Sequence, residues 1–139
     1  MLVLNPQSVV LLGKAVEHVR RVSVRRSAER VVLEWGNAGP YPVFADVPEQ
    51  RVELEVLAEL HRGSIDGPTP GEEGTLSFFT SPTAGSGGRE KVVAQVVVLG
   101  VSDEVAPGGT AQRRIRLAAI SADGTQDPID VSNAEDGQR

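Results

Sequence analysis

The chain predicts a mainly-β domain: two packed antiparallel sheets forming a β-sandwich or small barrel, with at most one short flanking helix. Three observations predict it. Residues 51–60 alternate, with Val52, Leu54 and Val56 on one face and Glu53, Glu55 and Glu59 on the other, where Leu57 interrupts the acids. A strand sends successive side chains to opposite faces, so this segment reads as a half-buried strand. Turn formers recur at short intervals along the chain, with 15 Gly and 9 Pro among 139 residues. No segment of ten or more residues carries a capped amphipathic helical period; the places left for a helix are 10–20 and a turn or two within 82–91.

The elements follow in order. Residues 9–12 and 15–16 are apolar and flank Gly13-Lys14, which predicts a β-hairpin. Residues 19–26 (VRRVSVRR) set Val22 and Val24 against Arg21, Ser23 and Arg25, a strand with a basic outer face. Residues 27–29 read as a connector, and 30–35 alternate again with Val31, Leu33 and Trp35 on one side. Residues 36–40 (GNAGP) are a loop, and 41–44 are extended because a residue before Pro avoids the helical region. The acidic strand 51–60 comes next, and then a polar excursion at 62–74 that is expected to project. Residues 75–80 form a strand, and 81–88 (SPTAGSGG) a second projecting loop. Residues 90–101 are the longest β-branched run, a buried strand in which Gly100 marks a bulge. Residues 110–121 return with Arg113, Ile115, Leu117 and Ala119 on one face, and 128–131 add a short extended piece. The expected organisation is an N-terminal arm at 1–8, a β domain at 9–131 and a polar tail at 132–139.

Composition narrows the function classes. Hydrophobic residues make up 40% and charged residues 24%, ordinary for a globular domain. There is no Cys, so there is neither a disulfide framework nor thiolate chemistry. The apolar start lacks a basic n-region and is broken by Asn5, Pro6 and Gln7, and no run reaches membrane-spanning length, so no membrane insertion is expected. The net charge of -5 is unevenly spread: residues 14–30 carry six bases against two acids, and 44–74 carry eight acids against two arginines. That asymmetry suggests a subunit with a positive and a negative side, suited to head-to-tail association.

No catalytic set emerges. His18 and His61 lack a second His or Cys at ligand spacing, so no metal site is expected. There is no G-x-S-x-G elbow. Glu53 and Glu55 share a face roughly 7 Å apart along a strand, a spacing a glycosidase pair tolerates, but few aromatics are available for a sugar platform. The loop at 81–88 lacks the P-loop lysine, and the arginines at 20–26 lack interleaved aromatics for base stacking. Neither an enzyme activity nor a cofactor is expected.

The order of segments resembles a known family. It runs through a Gly-turn hairpin (VVLLGKAV), a basic strand (VRRVSVRR) and an extended arm after a Gly/Pro loop (WGNAGPYPVFADVPEQ). RVELEVLAEL then precedes the polar excursion HRGSIDGPTPGEEG, and KVVAQVVVLGV, TAQRRIRLAAI and SADGTQDPI close the chain. Over about residues 7–131 this resembles the tail tube proteins of tailed bacteriophages, which are similar in fold to the haemolysin-coregulated tube protein of type VI secretion. The resemblance implies subunits in hexameric rings stacked into a hollow tube for DNA passage. It also implies a negative lumen, loops and arms that bridge rings, and a short flanking helix that the periodicity here does not show. The implied partners are further copies of the chain and the tape-measure, terminator and distal-tail proteins. The implied location is the virion tail, after synthesis in the host bacterial cytoplasm.

On that reading Glu53, Glu55 and Glu59 are the candidate lumen-facing acids. Arg20, Arg21, Arg25, Arg26, Asp66, Glu72 and Glu73 are the candidate inter-subunit or inter-ring residues. A baseplate or distal-tail subunit of the same fold reads almost the same. A β-sandwich carbohydrate- or receptor-binding module is the other alternative, and it requires exposed aromatics from among Trp35, Tyr41, Phe44, Phe78 and Phe79.

Overall fold

The computed structural model describes residues 2–3, 6–60, 67–80, 90–105, 107 and 111–133. Nine strands follow one another: β1 (Leu2–Val3), β2 (Gln7–Leu11), β3 (Lys14–Ala15), β4 (Val19–Trp35), β5 (Pro42–Leu60), β6 (Glu73–Thr80), β7 (Glu90–Val105), β8 (Ala111–Ile120) and β9 (Ile129–Asn133). The protein is mainly β, and no helix occurs among the described residues. The stretch 10–20, one place where a helix was conceivable, forms strand and turn; most of the other, 82–91, lies outside the described residues.

Hydrogen bonding runs through one antiparallel sheet in the order β1-β4-β5-β8-β7-β6-β2-β3. β9 lies beside β7, where it pairs with residues 90–94 and prolongs the line of β8, which pairs with 95–105. The two layers of the expected sandwich are thus two parts of one strongly curled sheet. β3, at one end of this order, and β4, next to the other end, are joined by residues 16–18 alone, a span of about 14 Å at most. The sheet therefore wraps nearly round on itself. Among the described residues its ends do not pair, so it is not a closed barrel.

Wrapping puts alternate side chains of most strands into one interior. Val22, Val24, Leu54, Val56, Leu76, Phe78, Val96, Val98, Ile115 and Leu117 are buried in a single cluster. Each such side chain contributes about 1.5–3 kcal/mol when fully buried. The alternation at 51–60 holds: Val52, Leu54, Val56 and Ala58 are buried, and Glu53, Glu55, Leu57 and Glu59 half-buried on the outer side. β7 and β8 keep the same period.

Local chemistry fixes the irregularities. The first hairpin turns on Leu12-Gly13, both at positive φ, one residue earlier than the Gly13-Lys14 turn of the sequence reading. Leu12 then lies over Gly74, where a Cβ would meet a Leu12 methyl, so a larger residue at 74 requires the Leu12 side chain to move. Pairing slips between Val98 and Gly100, which confirms the expected bulge.

Three expectations about the joins change. Residues 27–29 are not a connector, because β4 runs through them with register shifts between Ala28 and Arg30. The described part of the excursion, 67–74, does not project. Gly71 N–H donates to the Val98 carbonyl (2.8 Å) and Val98 N–H to that of Glu72 (2.9 Å), which stitches it to β7. The loop 81–88 and residues 62–66 lie outside the described residues. The domain limits move slightly: β2 already starts at residue 7 and β9 runs on to 133.

What does project is a different element. β4 and β5 pair from Val19↔Ala58 to Trp35↔Pro42, but β8 pairs with β5 only from Glu53 onward. Apart from half-buried Ser27, residues 25–51 of these two strands and their turn are exposed. They form a two-stranded arm that extends beyond the wrapped body.

Candidate functional site

Two surfaces stand out, and both lie on β4 and β5. The first is the outer face of the body. Here the strand order places β5 between β4 and β8, so the glutamates of β5 lie close to arginines of β4, β5 and β8. Arg20 Nη1 is 2.8 Å from Glu59 Oε2. Glu55 lies between Arg21 (3.7 Å) and Arg114 (3.3 Å). Glu53 lies between Arg51 (3.1 Å) and Arg116 (3.4 Å). Opposite charges on neighbouring strands attract across the sheet.

This pairing corrects two readings of the sequence. The acids at 53, 55 and 59, expected to make a negative lumen wall, stand among arginines of β4, β5 and β8 that neutralise them. The basic stretch at 14–30 and the acidic stretch at 44–74 are not opposite sides of a subunit, because β4 and β5 are partners in one hairpin. Arg30 with Glu49 (4.0 Å) and Glu29 with Arg51 (3.6 Å) continue the neutralisation into the arm. The sequence shows both charge runs but not that they are antiparallel neighbours.

The face is nevertheless not neutral. Arg20, Arg21, Arg25, Arg114 and Arg116 stand against three glutamates, which leaves a balance of +2. The arginine side chains in ion pairs here are 44–53% exposed and the glutamates 20–30%, so solvent meets guanidinium first. Arg25 has no carboxylate within ion-pair distance among the described residues, although Glu53 is its register partner.

The second surface is the arm. Trp35, Tyr41 and Phe44 are 57%, 79% and 50% exposed, and Val31, Leu33, Val43 and Val47 are exposed with them. Three of the chain's five aromatic residues are therefore exposed on the arm, and Phe78 alone joins the core cluster. At the tip, Trp35 Nε1–H donates to the Pro40 carbonyl (3.1 Å), which ties the 36–41 turn to its own strand. The carboxylates of Glu34 and Asp46 form no ion pair among the described residues. The sequence holds a signal for this surface that periodicity alone passes over: Val31, Val32 and Leu33 are consecutive. Consecutive apolar residues in a strand face both sides, so a one-sided core cannot cover them all.

The remaining expected site residues are dispersed. Arg26 reaches Asp127 of the 121–128 turn (3.1 Å) at the base of the arm. The Ile129 backbone N–H, and then Arg26, hold the Asp127 carboxyl below the usual aspartate range. Glu72 turns back to accept from the backbone and hydroxyl of Thr69, and these bonds lower its pKa. Glu73 opens β6 and is exposed. Asp66 and His61 lie outside the described residues. The inner face of β8 holds one charged residue that is buried, Arg113, 8% exposed. Its Nε donates to Asp103 Oδ1 (2.8 Å) and its Nη2 to Oδ2 (3.1 Å), a bidentate pair that holds the Asp103 carboxyl below its usual range. No group of three or more His, Cys, Asp or Glu arranged to hold a metal occurs among the described residues. No protein-family model matches the chain, and no curated protein matches it in sequence.

Proposed function

We propose that this chain is a structural subunit of a phage or phage-like tail, assembling as hexameric rings stacked into a hollow tube for genome passage. The observation that carries the reading is the arm. A two-stranded hairpin is marginal in water on its own, and this one exposes aromatic and branched side chains along its length. Such an element is explained by a partner that covers it. A head-to-tail contact, arm to a different surface of the next copy, generates rings when it closes and filaments when it does not. A wrapped β body with the segment order of the tail tube family supplies the rest of the argument. The further partners of such a subunit are the tape-measure, terminator and distal-tail proteins.

The charge lattice changes one part of this reading. A lumen lined by the outer face of β4, β5 and β8 presents guanidinium to DNA, the opposite of the repelling wall that the resemblance implies. The proposal therefore assigns Glu53, Glu55 and Glu59 to subunit contacts in place of the lumen. Negative-stain microscopy of the purified protein, with sedimentation across a salt series, tests it. Rings and tubes are expected, weakening as salt rises because exposed charge is screened within about 8–10 Å. A monomer at high concentration and low salt refutes it. The carbohydrate- or receptor-binding module keeps one observation in its favour, since Trp35, Tyr41 and Phe44 are exposed as it requires. A monomer that retains a glycan column through those three residues selects it.

A further inference from the structure

We infer that the arm of one copy docks across the arginine-rich outer face of β4, β5 and β8 on the next copy. This rests on the self-assembly reading above and names its two complementary surfaces. The charges are opposite in sign and similar in size. Residues 27–50 of the arm hold Glu29, Glu34, Asp46 and Glu49 against Arg30 alone, a balance of -3. The face holds a balance of +2, with Arg51 at the junction between them.

The groups left over within one copy match as well. Among the described residues Arg25 of the face lacks a carboxylate partner, and Glu34 and Asp46 of the arm lack a cationic one. A second copy supplies each with its opposite. The apolar side matches too. A guanidinium plane stacks on aromatic rings while keeping its hydrogen bonds to carboxylates, so a lattice of Arg over Glu receives such rings without stranding charge, and Phe44 shares its face of the arm with Glu34 and Asp46. Leu57, half-buried between Arg21 and Arg114 on the same face, gives the rings an apolar floor. A contact between two arms is disfavoured by the same count, because both carry -3.

A charge-swap experiment tests the docking. The arm variant is Glu34→Arg/Asp46→Arg, and the face variant is Arg25→Glu/Arg114→Glu. All four side chains are exposed, and circular dichroism with urea melts confirms that each variant keeps the fold. Sedimentation at low salt should show each variant alone associating at least about fivefold more weakly than the parent. An equimolar mixture should recover association, because the reversed arm meets the reversed face and the native arm meets the native face. The chain carrying both changes should recover it as well. An effect of the arm variant alone, with no effect of the face variant and no rescue, overturns the proposal and places the arm elsewhere. A face variant that assembles normally but loses salt-sensitive retention of duplex DNA also overturns it and makes the face a polyanion surface. Association that obeys the swap without forming tubes refutes the tube reading and leaves the docking intact. Tubes indifferent to the swap do the reverse.

Discussion

β4 and β5 pass through two environments, and the contrast between them carries the functional reading. In the body, Val22 and Val24 of β4 face Val56 and Leu54 across the pair, and all four are buried. In the arm, Leu33 pairs with Ala45 and Glu34 with Phe44, and all four are exposed. Both stretches mix branched apolar and charged residues, and the arm adds Trp35, Tyr41 and Phe44. What differs is the third and fourth strand. β8 and the curl of the sheet cover the body, and among the described residues nothing covers the arm. Apolar alternation thus reports which residues share a face, while the partner for that face comes from topology or from another molecule.

The largest effect expected from one change lies in the body. Leu54 is almost completely buried, and its replacement by Ala leaves a cavity beside Val24 and Leu117, its partners on the neighbouring strands. Leu54→Ala should cost about 2–5 kcal/mol, read as a lower urea midpoint with an unchanged slope. A loss under about 1 kcal/mol would show that the body is as loosely covered as the arm.

Next comes the part-buried ion pair. Asp103→Asn removes a charged, bidentate acceptor of the Arg113 guanidinium, which should cost about 1–3 kcal/mol at neutral pH. The sign of the pH dependence follows from the Asp103 carboxyl being held below its unfolded value. Its contribution is fully present above the ordinary aspartate pKa and is lost as pH falls through the depressed folded pKa. The gap between wild type and variant should therefore narrow in acid. Urea melts at neutral pH and well below the ordinary aspartate range check this, and a gap that widens in acid contradicts the assignment.

A smaller effect on folding, with a clear change in surface, is expected on the outer face. Changing Glu53, Glu55 and Glu59 together to Gln removes exposed pairs worth about 0.2–1 kcal/mol each. The fold should survive, but five arginines then stand without a carboxylate among them. Duplex DNA retention should rise and show a steeper loss with salt than the wild type. An unchanged salt slope would mean that the face is already covered in solution.

Much of the body is legible in the sequence because its physics is local. Period-two alternation places Leu54, Val96 and Leu117 inside, and Gly100 marks the bulge next to Val98. The hairpin at 12–13 follows from a glycine between apolar runs. The charge lattice is less legible, since strand order decides that Glu55 meets both Arg21 and Arg114, residues 34 and 59 positions away in sequence. The arm was read in pieces, as a strand, a connector, a loop and an extended entry. Ser27, Ala28 and Glu29 carry the chemistry of a connector, yet long-range pairing with Gln50 and Arg51 holds two of them in a strand. The signal that the arm stands alone, apolar residues at 31, 32 and 33 in succession, has meaning only once the sheet is known to have a single covered face.

The smallest effect on the fold, and the sharpest test of the comparison, is expected at Trp35. Its ring is 57% exposed and its one described hydrogen bond is local, from Nε1–H to the Pro40 carbonyl. Truncation to Ala therefore removes little burial from the isolated chain, and the urea midpoint should move by no more than about 0.5–1 kcal/mol, the net worth of one hydrogen bond. In the body a side chain of that size would cost about 3–5 kcal/mol. The ring has a different role once a second copy is present. Trp is the residue type most enriched among interface anchors, and its loss there typically costs 2 kcal/mol or more, roughly thirtyfold in affinity. Trp35→Ala should thus leave monomer melts almost unchanged and weaken association by about thirtyfold or more, measured on the same preparation by urea melts and by sedimentation. The opposite pattern, a large loss of monomer stability with association intact, would place Trp35 in the chain's own core and erase the distinction between arm and body.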